Sequence, residues 1–91
     1  MPEPPRIITV LYFAAASTAA NMTEESIPIP DGQFFLSSLG ELLASRHPNT
    51  ALEKVLQGSR WSVNAAMVDD PSAVELGDGE EVAVICPVSG G

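Results

Sequence analysis

Apolar residues occupy consecutive positions in two stretches near the ends of the chain. Ile7-Ile-Thr-Val-Leu-Tyr-Phe13 is rich in β-branched and aromatic side chains and predicts a strand. Its apolar residues fall on both alternating faces, which predicts a central strand covered on both sides. Glu81 to Cys86 predicts a second strong strand of the same kind. Between them the period changes. Phe35, Leu36, Leu39, Leu42 and Leu43 recur at helical spacing and predict a helix over 34–46, closed at His47-Pro48 because the residue before proline avoids the α region.

Weaker patterns fill the rest. Glu25-Ser-Ile-Pro-Ile-Pro30 predicts a short strand at a sheet edge, since its prolines cannot donate to a ladder. A short second helix is expected over 50–57, capped by Asn49 and ended by Gly58. Trp61 to Val68 predicts a third strand, 73–76 a short extended piece, and Gly77-Asp-Gly-Glu80 a tight turn. Ala14 to Thr23 reads as a small, polar loop. The order is strand, strand, helix, short helix, strand, short strand, strand, an α+β pattern. One helix cannot cover both faces of such a sheet, so apolar sheet surface is expected to remain open as a partner site.

Composition narrows the function. Ninety-one residues with 45% hydrophobic content make one packed domain. No apolar run is long enough to span a bilayer, and no basic region followed by an apolar stretch opens the chain. The single cysteine fits a reducing compartment, so a cytosolic protein is expected and Asn21-Met-Thr23 would go unglycosylated. The net charge of −8 argues against a nucleic-acid binder and favours a basic protein partner. Residues 1–6 are expected to be disordered or extended, 7–86 to form the domain, and 87–91 to be a mobile tail.

Candidate chemistry is sparse. His47 reads as a helix-end residue near the C-terminal dipole. Cys86 lies close to Asp78, Glu80 and Glu81, the opposite of the electropositive setting that makes a thiolate, and reads as structural. The pairs Glu24-Glu25, Asp69-Asp70 and Glu80-Glu81 read as solvated turns, with no spacing that completes a metal site. No bound cofactor is expected. What remains is the ending Pro87-Val-Ser-Gly-Gly91. Glycines lack a Cβ and can thread a narrow channel, and five extended residues reach about 17 Å. A carboxylate reacts only after activation, typically as an acyl-adenylate.

These residues, taken together, resemble a known family. Val10-Leu-Tyr-Phe-Ala14, the Leu42 to Pro48 segment ending Arg-His-Pro, Ser62-Val-Asn64, Leu76-Gly-Asp-Gly-Glu-Glu-Val-Ala-Val-Ile85 and the Pro87 to Gly91 tail are similar to the small, sulfur-carrying subunit of molybdopterin synthase, most of all to its eukaryotic members. The resemblance implies a ubiquitin-like β-grasp fold: a mixed sheet of four to five strands with one main helix and a short second helix. It implies that Gly91 is adenylated by a ubiquitin-activating-like adenylyltransferase at the expense of ATP, converted to a thiocarboxylate by a sulfurtransferase, and used by the large synthase subunit. There the sulfur passes to cyclic pyranopterin monophosphate, within a heterotetramer of two carriers and two large subunits. Acid and base groups would belong to the large subunit, leaving this chain a non-catalytic carrier. Pro87, Val88, Ser89 and Gly90 would position the tail, and Phe13 and Ile85 would touch the partner. The chain departs from the family pattern in the Ala14 to Thr23 loop, at Cys86, where a second proline is common, and at the two alanines after Asn64. A carrier for thiazole or tRNA thiolation, a ubiquitin-like modifier and a plain interaction module are the alternatives.

Overall fold

The computed structural model describes residues 6–86. The first strand, β1 (Arg6–Tyr12), pairs antiparallel with β2 (Glu24–Ile29) and parallel with β5 (Glu81–Ile85). β5 also pairs antiparallel with β3 (Arg60–Val63), which turns into β4 (Ala66–Val68). The sheet order is β2-β1-β5-β3-β4. Three helices, α1 (Ala15–Ala20), α2 (Leu36–Arg46) and α3 (Leu52–Gln57), complete the β-grasp, with a 3-10 turn at Pro71–Ala73.

The core lies between one sheet face and the helices. Ile8, Val10 and Tyr12 alternate inward from β1, Val82 and Val84 from β5, and Ile27 and Ile29 from β2. α2 answers with Leu36, Leu39 and Leu43, each fully buried and spaced to share one helix face. Burying a leucine side chain contributes about 1.5–3 kcal/mol, so this stripe is the main reason α2 stays on the sheet. Leu52 and Leu56 do the same for α3. β2 is an edge strand, as its prolines require.

The strand β1 is not covered on both sides. Its inward residues are sealed, but Ile7 is 41% exposed and the following Phe13 48%. All three helices bury residues in the core on one side, so the doubly apolar pattern of Ile7 to Phe13 reflects one face for the core and one left open. The middle strand of the five is β5, where Val82, Ala83 and Val84 are all buried.

Four further expectations are corrected. Ala14 to Thr23 is not a loop throughout, because Ala15–Ala20 forms α1 and buries Ala16 and Ala20. Alanine is the best helix former, yet two small buried residues give no apolar stripe to read. The stretch Trp61 to Val68 is a hairpin, with Asn64 (φ 50°) and Ala65 (φ 71°) as its two-residue turn. Two successive left-handed residues make the type I′ turn whose hand matches strand twist. Asn49 does not cap α3; it is itself left-handed at φ 63°, and the Thr50 hydroxyl accepts from the Leu52 N–H. α2 also starts later than the period predicts. Phe34 is buried but non-helical, its carbonyl accepting from Leu76 N–H at 2.8 Å.

The turn at 77–80 forms as expected. Gly79 sits at φ +83°, and its N–H reaches the Ile7 carbonyl at 2.8 Å. The Asp78 carboxylate accepts from the Ile7 N–H, so the turn is tied to the start of β1 at both groups. The tail expected at 87–91 lies outside the described residues, as do residues 1–5.

Candidate functional site

The register of the sheet defines the open face. Leu11 lies beside Ala83, Ala83 beside Ser62, and Ser62 beside Met67, in one row across four strands. Continuing the β1–β5 register one residue past Tyr12↔Val84 brings Phe13 beside Ile85, next to Arg60. Ala83 and Ser62 are nearly sealed at 9% and 7%, whereas Phe13 and Met67 stand out at 48% and 55%. The result is a shallow apolar surface with a flat centre and two projecting side chains. Glu24 and Glu81 are exposed at its margins. An apolar surface rimmed by charge is suited to binding another protein. Phe13 and Ile85, 72 positions apart in sequence, are thereby brought together by parallel strand pairing.

This surface ends where the C-terminal tail begins. The Cys86 thiol donates to the Phe13 carbonyl at 3.3 Å, and the Ser59 hydroxyl lies 3.7 Å from the sulfur. Ser59 in turn donates to the Val55 carbonyl at 2.7 Å, so residue 86 is held by the end of β1 and the end of α3. Cys86 is half-buried and packs against the core. Its visible part is structural: it fixes the point from which Pro87 departs. Pro87, Val88, Ser89, Gly90 and Gly91 themselves lie outside the described residues.

The other sequence candidates fall elsewhere. Glu25 is not in a solvated turn but in β2, with its side chain 11% exposed. Its carboxylate accepts from the Tyr12 hydroxyl (2.8 Å), Arg46 Nε (2.9 Å) and His47 Nε2 (2.8 Å). Since a carboxylate only accepts, that ring nitrogen carries a proton. Burial opposes the charge on Glu25, but the hydrogen bonds from His47, Arg46 and Tyr12 outweigh it and hold the carboxyl below its ordinary value. Burial first, and then the Glu25 carboxylate, push the Tyr12 phenol well above its usual range. His47 is the α2 C-cap, edge-on to the Tyr12 ring at 6.1 Å. The cluster locks the end of α2 onto β1 and β2. It was missed because its members are scattered over positions 12, 25, 46 and 47; the Arg-His pair ending a helix was its only local signal. Among the described residues no three His, Cys, Asp or Glu side chains converge as a metal site. No helix among them is long and apolar enough to cross a membrane.

The ThiS family model matches residues 10–91, nearly the whole chain. The chain belongs to the ThiS family. A relative from Mycosarcoma maydis, a molybdopterin synthase sulfur carrier subunit, is 41% identical over 86 residues, covering 92% of both chains. One of the same name from Chlamydomonas reinhardtii is 36% identical over 84 residues, covering 92% of this chain and 98% of the other. Among solved structures, a putative molybdopterin converting factor subunit 1 from Pyrococcus furiosus superposes with a TM-score of 0.73 at 29% identity, over 91% of this chain and 99% of that one. The small archaeal modifier protein 1 of Haloferax volcanii (TM-score 0.76, 20% identity, 93% and 99% covered) shares the fold. So does a chain from the complex of subunits 1 and 2 of molybdopterin-converting factor from Helicobacter pylori (0.65, 20%, 93% and 99%).

Proposed function

We propose that this chain is the sulfur carrier subunit of a molybdopterin synthase. The observation that carries the reading is the open apolar face running from Met67 to Phe13 and Ile85 and ending at the root of a Gly-Gly tail. A docked face fixes the body of the carrier, and the tail then has a defined origin from which to enter a partner's active site. The relatives' names and the family membership support the same reading.

The chemistry belongs to the terminal carboxylate. Its oxygen attacks the α-phosphorus of ATP on a separate adenylyltransferase, pyrophosphate leaves, and Gly91 becomes an acyl-adenylate. Sulfide, or a persulfide whose acyl disulfide product is then cleaved by a thiol to release a disulfide, displaces AMP and leaves a thiocarboxylate. The open face passes from the activating enzyme to the large synthase subunit, where Gly91 gives its sulfur to cyclic pyranopterin monophosphate. Two carriers and two large subunits form the working assembly, in the cytosol. Pro87, Val88, Ser89 and Gly90 guide the tail: glycine at 90, having no Cβ, needs the narrowest passage. The complex of subunits 1 and 2 from Helicobacter pylori supports a large-subunit partner.

Intact-mass measurement after incubation with ATP, the activating enzyme and a sulfur donor tests the reading. One oxygen-to-sulfur exchange at Gly91 is expected, followed by loss of that sulfur when the large subunit and the pterin are added. A chain extended by one residue beyond Gly91 is expected to bind both partners yet accept no sulfur. Dithiolene formation by the extended chain, or sulfur delivered only to a thiazole or tRNA acceptor, overturns it.

A further inference from the structure

On the side of the sheet opposite the open face lies a cleft of roughly 520 Å³, between α2, α3 and the 3-10 turn. The Trp61 indole lines it, 8% exposed and beside Gly40 of α2. A Cβ built at Gly40 would lie 3.7 Å from Trp61 Cζ2, so the glycine leaves the ring edge uncovered. Cζ2 and Nε1 are both bonded to Cε2, so this is the edge that carries the indole N–H. That N–H takes part in no hydrogen bond between described residues. No buried side-chain nitrogen or oxygen among them lacks a partner, so the N–H reaches the surface. Indole N–H groups in such sheltered places ordinarily find an acceptor.

Charge defines the occupant. Glu41 of α2, Glu53 of α3 and Asp70 at the start of the 3-10 turn contribute to the walls from three directions, and no lysine or arginine lines the cleft. Asp70 accepts from the Ser72 N–H (3.1 Å) and hydroxyl (2.6 Å), and these bonds hold its carboxyl below its ordinary value. A ring of carboxylates attracts a cation, and the indole edge beside them, which carries an N–H donor, calls for an acceptor on the same ligand. A guanidinium fits better than an ammonium, because it is planar, weakly hydrated and has five N–H donors to share among separate carboxylates. The ligand's own backbone supplies a carbonyl for the indole N–H, which has no acceptor among the described residues.

We propose that this cleft binds an arginine side chain from a basic segment of a partner protein, on the sheet face opposite Phe13 and Ile85. Because the two surfaces lie on opposite sides of the sheet, this contact leaves Phe13 and Ile85 uncovered. A partner with an arginine-bearing arm can therefore hold the carrier while another protein works on Gly91.

Trp61 is the only tryptophan in the chain, so its emission reports the cleft directly. The full chain is titrated with acetylated, amidated tetra-arginine, with tetralysine and with the neutral tetracitrulline. A saturable change with tetra-arginine is expected, several-fold weaker with tetralysine and absent with tetracitrulline. The double variant Glu41→Gln/Glu53→Gln should weaken tetra-arginine binding at least tenfold. So should Gly40→Met, which fills the cleft and replaces the helix glycine with a better helix former; circular dichroism checks that it is folded. Neutralising an equal charge outside the cleft, with Glu24→Gln/Glu81→Gln, should change the affinity less than twofold. Equal weakening by that remote pair, undiminished binding to Gly40→Met, or no saturable response overturns the proposal.

Discussion

Glu25→Ala is the most informative single change to the fold, because three donors depend on one carboxylate. The Tyr12 hydroxyl is on a residue 1% exposed, and the His47 side chain is 12% exposed, so both lose a partner where water has little access. Each buried group left unsatisfied costs about 1–3 kcal/mol. Arg46 is 38% exposed and turns to solvent, so its loss is worth a few tenths at most by the usual measure of surface pairs. Removing the buried carboxylate itself returns part of its desolvation cost. The balance is a destabilisation of about 2–4 kcal/mol, or roughly 10–25 °C in Tm for a domain of this size. Glu25→Gln keeps one acceptor oxygen in place and should cost about half as much.

The pH dependence supplies an independent check. The folded-state pKa of Glu25 is depressed, so its contribution is fully present above the unfolded value of about 4.3 and is lost as pH falls through the lower folded value. Urea unfolding followed by Trp61 emission should therefore show the gap between wild type and Glu25→Gln at pH 7 closing towards pH 3. A Glu25→Ala chain within about 0.5 kcal/mol of wild type at pH 7 would refute the reasoning. A gap that persists unchanged at pH 3 would also refute it.

Other substitutions separate the open face, the backbone and the tail root. Phe13→Asp should weaken binding of the large synthase subunit by about tenfold or more, measured calorimetrically, while leaving Tm nearly unchanged because the side chain is half exposed. Ala65→Gly should raise stability by roughly 0.5–1 kcal/mol, since an L-residue at φ 71° is strained and glycine is not. Ala14→Gly should do the same at φ 51°, ψ −126°, the sharper departure of the two. Cys86→Ala removes one weak donor to the Phe13 carbonyl and should retain most sulfur transfer in the reconstituted reaction.

Where one local signal sufficed, the elements could be read from the residues. The leucines at 36, 39 and 43 name the buried face of α2 by spacing alone, and Pro28 names an edge strand by its missing donor. The hairpin was hidden because its turn is Asn-Ala rather than Asn-Gly. The residue that normally advertises a left-handed turn position is absent, and the strain is carried by the rest of the sheet. α1 was hidden because a helix that buries only Ala16 and Ala20 has no apolar stripe. At the open face, Phe13 and Ile85 follow from resemblance, whereas their adjacency depends on a parallel pairing between the two ends of the chain. The Glu25 cluster and the Trp61 cleft are assembled from separated elements, and no window of sequence contains either.

The composition of the open face bears on how a carrier of this kind must behave. A protein that visits an activating enzyme and then a synthase has to leave the first before it serves the second. Obligate interfaces are large and strongly apolar. Here the row Leu11, Ala83, Ser62, Met67 has a small residue and a hydroxyl at its centre, with Thr9 and Glu81 paired one step along the strands. Few side chains project far enough to anchor a partner, chiefly Phe13 and Met67. Such a face gains apolar contact at a few points and leaves much of its area nearly flat, which favours exchange over permanent assembly. The fixed point beside this face is Cys86, held by Ser59 and by the Phe13 carbonyl at the end of β1. On the proposed function, different partners would dock on the same surface with modest affinity and still receive Gly91 from one origin.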